Sequence, residues 1–529
     1  MVDGGAPTGP PVAADMDPRR IHAALSLLAD RRWRTLGELV RETGAPRRSV
    51  ESLLAGLSLE HAGGDRFRLT PEQGAEIAES LRTGYRPLDP ADPVGHLLPE
   101  YAAVVERVAG LIERAPRARH VLDHVSATPE TVVRRALLLG ARFWLPGTRL
   151  LCVGDHDLTS LAVGLVHPGV QTTVVDVDER ILAYIDECAA ELGLDVRTRW
   201  ADLRLGLPAS AVEYADLAVT DPPYTPEGVG LFVARAVQGL RDQGQGRVLL
   251  AYGASDRTPM LALKVQQALQ DLNLVSEAVY PDFNSYFGAE AIGSRADLYV
   301  LRPTGKSLPA AAARADRFAT AIYTQGPQAV EARTAEGASP DLADLHPEVL
   351  VGDWPKQVLP QVPRVRLTTW LAKPYAARVR HAAVALPPGL ETALVRVLLA
   401  TRAEHVRVFL SEAPGDLADE AASLAAVYEL TRQGSTVEAV RTLSAPADQT
   451  QRIVRAIMDR AHGKVANVWR DALLDAHAGL TKRQARAIVA DAAPWARDVT
   501  LLELPLHRLR DLPTAVRASL DLVTTAPAG

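Results

Sequence analysis

Two stretches of the chain, TRLLCVGDHD at 148–157 and ADLAVTDPPYT at 215–225, decide the fold that the sequence predicts. Each begins with an apolar run typical of a buried strand, and each apolar run ends abruptly at an acidic turn. Between them, predicted helices alternate with two further strands, which end near Asp176 and Trp200. Strand–helix alternation at this spacing predicts a doubly wound, mostly parallel sheet.

In such a sheet the loops after the first and fourth strands flank the crevice where the strand order reverses, and ligands bind there. The turns at 154–157 and 221–224 should therefore face each other across one pocket. We interpret this pocket as the active site of an enzyme.

The composition is that of an ordinary soluble globular protein, with 529 residues, 47% apolar and 23% charged. A net charge of −6 gives no whole-chain reason to expect nucleic-acid binding. We see no membrane span or signal peptide and expect a cytoplasmic protein, with Cys152 and Cys188 as free buried thiols. The predicted order is a disordered tail at 1–16, a winged-helix-like domain at 17–85, a catalytic domain at 97–305, a linker at 306–350 and a C-terminal, mostly helical α/β domain of unknown role at 351–529.

The front domain contains three short helical patterns and a hairpin with a Gly-Gly turn at 63–64, which predict a winged helix-turn-helix. Its recognition helix would carry Arg47 and Arg48. Because that helix is not strongly basic, we favour a docking or dimerisation role over DNA binding.

Three more distant patterns complete the prediction. Helices are expected at 98–114 and 128–142, the second with Thr128 as its N-cap. Strands at 274–280 and 297–302 form a closing antiparallel pair, and the polar-aromatic loop at 282–290 between them is a candidate substrate cover. Further elements are predicted as a strand at 405–410, a helix at 416–432 and a strand at 436–443.

The turn after the first strand carries Gly154, Asp155 and Asp157 near the start of a helix. These acids cap that helix or bind a ligand, and one acid can serve as the cap while the other binds the ligand. Two carboxylates in one short turn disfavour phosphate or a free carboxylate and favour an ammonium group.

The acids after the next two strands fit adenosine. Asp176 is placed to accept both ribose hydroxyls, with Asp178 as the alternative or as a helix cap. Asp202 could accept from the adenine amine. Together these acids favour an adenosine-containing sulfonium compound over a dinucleotide.

The tetrapeptide at 221–224 is the most informative motif. Two prolines, Pro222 and Pro223, fix the chain as it leaves the sheet, so the Asp221 carboxylate is held rigidly. Such a turn suits an amine nucleophile, because the carboxylate can accept hydrogen bonds from the N–H groups of the amine.

With these residues identified, the chain resembles the N4-bis(aminopropyl)spermidine synthase (branched-chain polyamine synthase) family over residues 17–305. The motifs that carry the resemblance are ET at 130–131, RRA at 134–136, GDHDL at 154–158, DVDER at 176–180, DPPYT at 221–225 and the loop at 282–293. The resemblance implies a Rossmann-like class I methyltransferase-type sheet. It also implies transfer of 3-aminopropyl groups from decarboxylated S-adenosylmethionine to an amine of spermidine or a related polyamine, releasing methylthioadenosine.

By analogy with the family, Asp221 is the base or amine orienter, while Asp155 and Asp157 hold the aminopropyl ammonium. The donor would be bound by Gly154, Asp176, Asp178, Asp202 and Pro222, and the polyamine by Tyr224, Glu227, Asp282, Tyr286 and Glu290. No cofactor and no metal are expected beyond the donor co-substrate, and a homodimer is expected.

The chain departs from the family pattern in two places. His156 replaces an acid of the first turn, and the chain after about residue 310 is much longer than the family's tail. His156 is interpreted as a local hydrogen-bonding residue. These departures leave open aminocarboxypropyl transfer from S-adenosylmethionine itself.

Other classes remain as alternatives. The Asp-Pro-Pro-Tyr turn also marks S-adenosylmethionine-dependent amino-methyltransferases that act on nucleic acid, although the acidic first turn and negative charge disfavour a polyanion. A non-catalytic winged-helix sensor of a nucleoside or polyamine is the third alternative.

Overall fold

The computed structural model describes residues 18–43, 45, 47–81, 92–253, 259–287, 295–315, 321–324, 342, 344–411 and 417–525. Within these ranges the strands form three sheets, of three, seven and six strands. The tail predicted to be disordered at 1–16 lies outside the described residues.

The N-terminal part combines helices with a small antiparallel sheet. Its helices are α1 (Pro18–Ala29), α2 (Leu36–Thr43), α3 (Arg47–Ala55) and α4 (Pro71–Ser80), and its strands are β1 (Arg34–Thr35), β2 (Leu59–Ala62) and β3 (Arg66–Leu69). The strands are ordered β1-β3-β2, and Gly64 at φ +77° supplies the turn before β3. Nε2 of His22 lies 2.8 Å from the carbonyl oxygen of Gly140, which ties this part to the central one.

The central part alternates strands and helices. Its helices are α5 (Ala102–Arg114), α6 (Pro129–Arg142), α7 (Thr159–Val166), α8 (Glu179–Leu192), α9 (Pro226–Gly239), α10 (Pro259–Asp271) and α11 (Ser307–Ala315). Its strands are β4 (Arg149–Val153), β5 (Gln171–Asp176), β6 (Val196–Trp200), β7 (Leu217–Thr220), β8 (Arg247–Tyr252), β9 (Val275–Ser285) and β10 (Arg295–Arg302).

These seven strands are ordered β6-β5-β4-β7-β8-β10-β9. Strands β4 to β8 run parallel, and β10 runs antiparallel to both β8 and β9. The predicted Rossmann-like doubly wound sheet is therefore confirmed. The order reverses between β4 and β7, which puts the two acidic turns at the switch point.

Local sequence signals explain several boundaries. The Thr128 side chain accepts from the backbone N–H of Thr131, and Pro129 opens α6, as the predicted N-cap requires. Strand β9 is longer than predicted because residues 284 and 285 pair with β10. The part of the expected cover loop at 282–285 is therefore strand, and its residues 288–290 lie outside the described part of the chain.

The stretch predicted as a linker at 306–350 begins with a packed helix instead. The Arg314 side chain of α11 donates to the carbonyl oxygen of Pro226 at 3.1 Å, at the start of α9. Ala311 is fully buried in the same core as α9. The apolar side chains of this Ala-rich helix were too small to show a strong pattern in the sequence.

The C-terminal part contains a mixed six-stranded sheet. Its strands are β11 (Val349–Gly352), β12 (Arg364–Val365), β13 (His381–Ala385), β14 (His405–Phe409), β15 (Tyr428–Gln433) and β16 (Thr436–Arg441). Its helices are α12 (Leu367–Ala372), α13 (Leu394–Leu399), α14 (Ala418–Leu424), α15 (Gln449–Met458), α16 (Val465–Ala476), α17 (Lys482–Ala492) and α18 (Leu506–Thr525). Its α/β character agrees with the prediction.

One helix of this part was predicted too long. The helix expected at 416–432 ends at Leu424, and β15 follows as one arm of a hairpin with β16. Gly434 at φ +60° supplies the hairpin turn, which lets β15 pair with β16 rather than continue the helix.

The central and C-terminal parts share a continuous core. Buried residues of the seven-stranded sheet, such as Leu150, belong to the same cluster as Leu398 and Leu512 of the C-terminal helices. Both cysteines are buried free thiols, as predicted. Among the described helices, none has the length and apolar character needed to cross a membrane.

Candidate active site

A cavity of about 660 Å³ opens at the carboxyl ends of β4, β5, β6 and β7. The turns at 154–157 and 221–224 both contribute to its wall, as their strand positions predict. The described wall contains six aspartates and two arginines, namely Asp123, Asp155, Asp157, Asp176, Asp202, Asp221, Arg135 and Arg295. This excess of carboxylates favours a cationic ligand.

Gly154 lets the first turn pass close to the cavity. Its φ is +74°, and its N–H donates to the carbonyl oxygen of Val175 at 2.8 Å. A Cβ atom at this position would lie 3.3 Å from the Phe232 ring. Any larger residue would combine a strained backbone with a close contact, so the position favours glycine.

Asp155 is buried and binds a backbone N–H at the start of α7. Its carboxylate accepts from the backbone N–H of Ser160 at 3.1 Å, while its own N–H donates to Asp176 at 3.1 Å. Burial raises the pKa of Asp155 to about 7, against the lowering effect of the Ser160 hydrogen bonds. Asp155 therefore satisfies a first-turn N–H of α7 although the N-cap residue is Leu158, and it also forms part of the cavity wall.

Asp157 is bound by the protein itself. One carboxylate oxygen accepts from the backbone N–H of Ala127 at 2.8 Å, and the other lies 2.9 Å from Nη1 of Arg135. Asp157 was predicted to bind the aminopropyl ammonium directly, but its carboxylate is already paired with a cation in this buried ion pair.

Asp221 forms the centre of a polar network. Its Oδ2 accepts from Nη2 of Arg135 at 2.7 Å and from the Tyr286 hydroxyl at 2.6 Å. Its Oδ1 accepts from the Tyr224 hydroxyl at 3.2 Å. Burial raises the pKa of Asp221 to about 6, because it outweighs the lowering effect of Arg135.

Arg135 is the residue of this network that the sequence analysis did not assign. Its Nε donates to Asn284 at 2.8 Å, Nη1 contacts Asp157 and Thr159, and Nη2 contacts Asp221 and Tyr286. The guanidinium is thus fully engaged by protein groups. The two adjacent arginines Arg134 and Arg135 in the predicted helix were the available signal for a cation at the site. The helical pattern alone did not show which of the two points inward.

Asp176 and Asp178, which both follow β5, have different roles. Asp176 lines the cavity, and its carboxylate accepts from the backbone N–H groups of Asp155 and Asp178. Asp178 is the N-cap of α8, is ion-paired to Arg180 and does not line the cavity. The predicted capping alternative for Asp178 is therefore the one observed.

Asp202 follows β6 and lines the cavity while its carboxylate pairs with Arg204. Both side chains are buried. Nε of Arg204 lies 2.8 Å from Oδ1 of Asp202, so the fork of the arginine orients the carboxylate.

Three predicted polyamine ligands are not brought to the described wall. Glu227 is in the first turn of α9 and does not line the cavity. Asp282 is exposed at φ +53° in β9, and its N–H donates to Asp297. Asp282 is not part of the described wall, since β9 continues through this position instead of turning over the site. Glu290 lies outside the described residues.

Two of the predicted polyamine ligands do line the cavity. The hydroxyls of Tyr224 and Tyr286 lie 3.1 Å apart, and both donate toward Asp221. Pro222 lies beside them in the wall.

A segment from the predicted linker also reaches the cavity. Ile322, Tyr323 and Thr324 contribute to its wall. The Thr324 N–H and hydroxyl both donate to the Asp123 carboxylate at 2.6 Å, and the Thr225 hydroxyl donates to the carbonyl oxygen of Ile322 at 2.7 Å. No local pattern in this Ala/Pro-rich stretch indicated the contact.

His156 and His124 stack in the wall, with ring centroids 4.3 Å apart and planes inclined by 15°. Nε2 of His156 lies 3.3 Å from the Ser126 hydroxyl, so His156 is a hydrogen-bonding residue, but its partner is 30 residues away in the chain rather than local. Burial lowers the pKa of both imidazoles, that of His124 to about 3. Both rings are therefore neutral at pH 7. In the described part of the chain, no group of three or more His, Cys, Asp or Glu side chains has the arrangement of a metal site.

Residues 103–304 match the family model described as the branched-chain polyamine synthase A C-terminal domain. The match does not include the N-terminal part, which the resemblance was expected to cover. The N(4)-bis(aminopropyl)spermidine synthase of Thermus thermophilus is 31% identical over 226 residues, which are 41% of this chain and 63% of that protein. The enzyme of the same name from Methanocaldococcus jannaschii is 29% identical over 222 residues, again 41% of this chain and 63% of the relative.

An uncharacterized protein of M. jannaschii is 36% identical over 206 residues, which are 39% of this chain and 51% of that protein. The chain thus spans between half and two thirds of the length of these three relatives. A solved structure of the T. thermophilus branched-chain polyamine synthase, with N4-aminopropylspermidine and 5′-methylthioadenosine, is 24% identical and covers 53% of this chain and 86% of that one, with a TM-score of 0.35. The sequence matches confirm, over residues 103–304, the resemblance to branched-chain polyamine synthases that the motifs predicted.

Proposed function

We propose that this protein is an aminopropyltransferase. It would move 3-aminopropyl groups from decarboxylated S-adenosylmethionine to an amine nitrogen of spermidine or a related polyamine and release methylthioadenosine. The observation that carries the proposal is Asp221, which is followed by two prolines and hydrogen-bonded by two tyrosines and Arg135, in a cavity whose described wall has more carboxylates than guanidiniums.

The donor end would be formed by the acids after β5 and β6. Asp176 and Asp202 line the cavity where an adenosine ribose and adenine would lie, with Gly154 and Pro222 beside them. Asp178 would act indirectly by starting α8, because it does not line the cavity.

The reaction would be a direct displacement. The amine lone pair attacks the carbon next to the sulfonium, the C–N bond forms and the C–S bond breaks. The electron pair of that bond stays on sulfur and gives the neutral thioether. When the attacking nitrogen is a primary or secondary amine, Asp221 would accept a hydrogen bond from its N–H and then the proton of the product ammonium, which passes on to water. A tertiary amine attacking in a second transfer carries no N–H, so that step releases no proton.

The carboxylate oxygen Oδ1 of Asp221 is the better placed for the amine. It accepts one long hydrogen bond from Tyr224 at 3.2 Å, whereas Oδ2 already accepts from Arg135 and Tyr286. Asp155 would face the ammonium of the donor, because Asp157 is already ion-paired to Arg135.

The state of Arg135 favours the decarboxylated donor over S-adenosylmethionine. All three nitrogens of its guanidinium already contact protein oxygens, so no free N–H remains for a donor carboxylate. The other arginine of the described wall, Arg295, would be the remaining candidate for such a group.

Product analysis by mass spectrometry tests the proposal. Purified protein would be given decarboxylated S-adenosylmethionine or S-adenosylmethionine, each with spermidine, other polyamines or a nucleic-acid oligonucleotide. We expect products heavier by one or two aminopropyl groups together with methylthioadenosine. Methylated oligonucleotide, aminocarboxypropyl products or no turnover with any amine would each contradict the proposal.

We further infer that the N-terminal part is a winged helix that docks within the enzyme. The order of α1, α2 and α3 followed by the β2–β3 hairpin supports this topology. His22 contacts α6 through Gly140, and Arg47 is ion-paired to Glu51 rather than presented alone. A gel-shift titration with duplex DNA is expected to show no binding at physiological salt, and tight sequence-specific binding would overturn the inference.

The remaining expectations stay as proposals with simple tests. The domain limits at 17–85, 97–305 and 351–529 would be tested by limited proteolysis, and the homodimer by light scattering coupled to size-exclusion chromatography. Cytoplasmic localisation would be tested by cell fractionation.

A further inference from the structure

The C-terminal region, residues 349–525, contacts the elements that carry the donor-side acids. Arg396 is buried, forms an ion pair with Glu179 at 2.6 Å, and its guanidinium carbon lies 4.1 Å from the Trp200 ring centroid. Glu179 opens α8 directly after the Asp178 cap, and Trp200 ends β6. The backbone N–H of Leu506 also donates to Glu179, at 2.7 Å.

A second set of contacts continues along the same side of the sheet. Asp186 of α8 binds His507 at 2.9 Å and Arg508 at 2.7 Å. The backbone N–H of Ser210 donates to Glu503 at 3.3 Å. The C-terminal region therefore packs on the half of the sheet that bears Asp176 and Asp202.

Arg204 connects this region directly to the cavity wall. Its Nη2 donates to the carbonyl oxygen of Gly389 at 2.7 Å, and Nε holds Oδ1 of Asp202 at 2.8 Å. The guanidinium carbon lies 5.8 Å from the ring centroid of Tyr323, which also lines the cavity. Arg204 is 2% exposed and Asp202 4%, so the arrangement is shielded from water and held rigidly.

The turn at Gly389 is built to present that carbonyl. It lies between β13 and α13, with Gly389 at φ +78° and its N–H donating to Glu391 at 3.1 Å. The next residue, Leu390, is fully buried. The position of the Gly389 carbonyl is thus set by the core of the C-terminal region.

We propose that Arg204 is a positioning residue through which the C-terminal region holds Asp202 in the orientation that binds the adenosine part of the donor. The C-terminal region, which lies outside the matched residues 103–304, would then be a structural part of the donor site. This inference rests on the proposed function, because it takes Asp202 as a donor-binding residue.

Gly389→Val tests the connection without touching Arg204 or the cavity wall. A β-branched residue at φ +78° is strained, so the turn must shift and move its carbonyl. We expect the Kd for methylthioadenosine, measured by calorimetric titration, to rise about tenfold, as for loss of one hydrogen bond to a charged group. Gly434→Val is the matched control, because its φ is +60° and a Cβ there meets no atom within 4 Å. The control should bind within about twofold of the unaltered protein, a change too small to signal a lost contact.

Arg204→Met supplies a second variant, with Arg197→Met as its control. Arg197 on β6 and Asp195 just before it form a pair of the same sequence spacing, but both side chains are more than a third exposed. We expect Arg204→Met to raise donor KM and methylthioadenosine Kd about tenfold with kcat little changed, since uniform binding is lost. Arg204→Lys should recover part of the affinity.

Two outcomes would count against the inference. Unaltered methylthioadenosine affinity in folded Gly389→Val and Arg204→Met proteins would overturn it while leaving the proposed function intact. Failure of the unaltered protein to bind methylthioadenosine would overturn both. Thermal unfolding of each variant would establish that the proteins compared are folded.

Discussion

Nη2 of Arg135 lies 2.7 Å from Oδ2 of Asp221, so the carboxylate proposed to orient the amine is already paired with a buried cation. The same guanidinium lies 2.9 Å from Asp157. One arginine of α6 thereby joins the turn after β4 to the turn after β7. The distance between the two acidic turns, on which the geometry of the displacement depends, is set by this side chain.

Asp221→Asn is expected to reduce kcat strongly. The amide keeps the shape of the side chain but cannot accept a proton, so a loss of about 10²- to 10⁴-fold is expected. Methylthioadenosine affinity should change little, because the donor acids are untouched. Steady-state kinetics and calorimetric titration provide the two measurements.

Asp282→Asn is the matched control for Asp221→Asn. Asp282 is an exposed aspartate that does not line the cavity, so its amide variant should keep full activity. Comparable losses in both variants would show that the assignment of the amine-orienting carboxylate is wrong.

Arg135→Gln is expected to destabilise the fold. Removing the cation leaves two buried carboxylates without it, a loss of about 3–5 kcal/mol in the free energy of unfolding. Urea denaturation measures this change. Arg47→Gln, which breaks an exposed pair with Glu51, should cost no more than about 0.5 kcal/mol.

A double variant sharpens the prediction for Arg135. Adding Asp157→Asn to Arg135→Gln removes one of the uncompensated charges, so the double variant should be more stable than the sum of the single effects implies. Simple additivity of the two changes would mean that the ion pair does not hold the turns together.

The raised pKa of Asp155 leads us to expect a specific pH dependence of the free energy of unfolding. Burial raises the pKa of its carboxyl from 3.8 to about 7, so between these values the folded state holds more of the proton than the unfolded state. The contribution of Asp155 to the free energy of unfolding therefore falls as pH rises through this window and is constant above it. In the Asp155→Asn variant the side chain at this position does not titrate, so the variant lacks this pH-dependent contribution.

The measurement is the difference in unfolding free energy between Asp155→Asn and the unaltered protein as a function of pH. This difference should shift in favour of the variant from pH 4 to pH 7, because only the unaltered protein loses stability there. A difference that stays flat across this range would be inconsistent with a raised pKa of Asp155.

Tyr323→Ala should weaken binding of methylthioadenosine. Tyr323 is buried in the cavity wall beside Arg204, where an adenine held by Asp202 would contact its ring. Loss of an aromatic contact to a base corresponds to about 1–3 kcal/mol, so affinity should fall by a factor of about 5 to 150. Tyr323→Phe, which keeps the ring, should bind normally, as should Tyr214→Ala outside the cavity wall. Equal affinities for the Ala and Phe variants would exclude a contact through the ring.

Much of the site was predictable because it depends on local patterns. Apolar runs ending at acidic turns identified β4 and β7, and their positions in a doubly wound sheet predicted the shared cavity. Asp178 as a helix cap was also within reach, since its partner Arg180 is two residues away. Such features depend on neighbours along the chain, which the sequence displays directly.

Which acids face a ligand and which face an arginine was decided by the tertiary structure. Asp157, in the turn before α7, is paired to Arg135, which lies 22 residues earlier in the chain on α6. The sequence gives no reason to separate Asp282 from Asp221. In the structure Asp282 is exposed on β9, whereas Asp221 is held by Arg135 and Tyr286. Such partners are brought together by packing of distant elements, so no local spacing records them.

The sequence by itself determined the sheet, the turns at its switch point and the class of chemistry that they suit. Only the tertiary structure decided that residues 322–324 complete the cavity wall and that Arg204 ties Asp202 to the C-terminal region. The physical reason is that strand and helix patterns arise from short-range periodicity, whereas the charge and shape of a cavity arise from contacts between residues on different elements, here 22 to 201 positions apart in the chain.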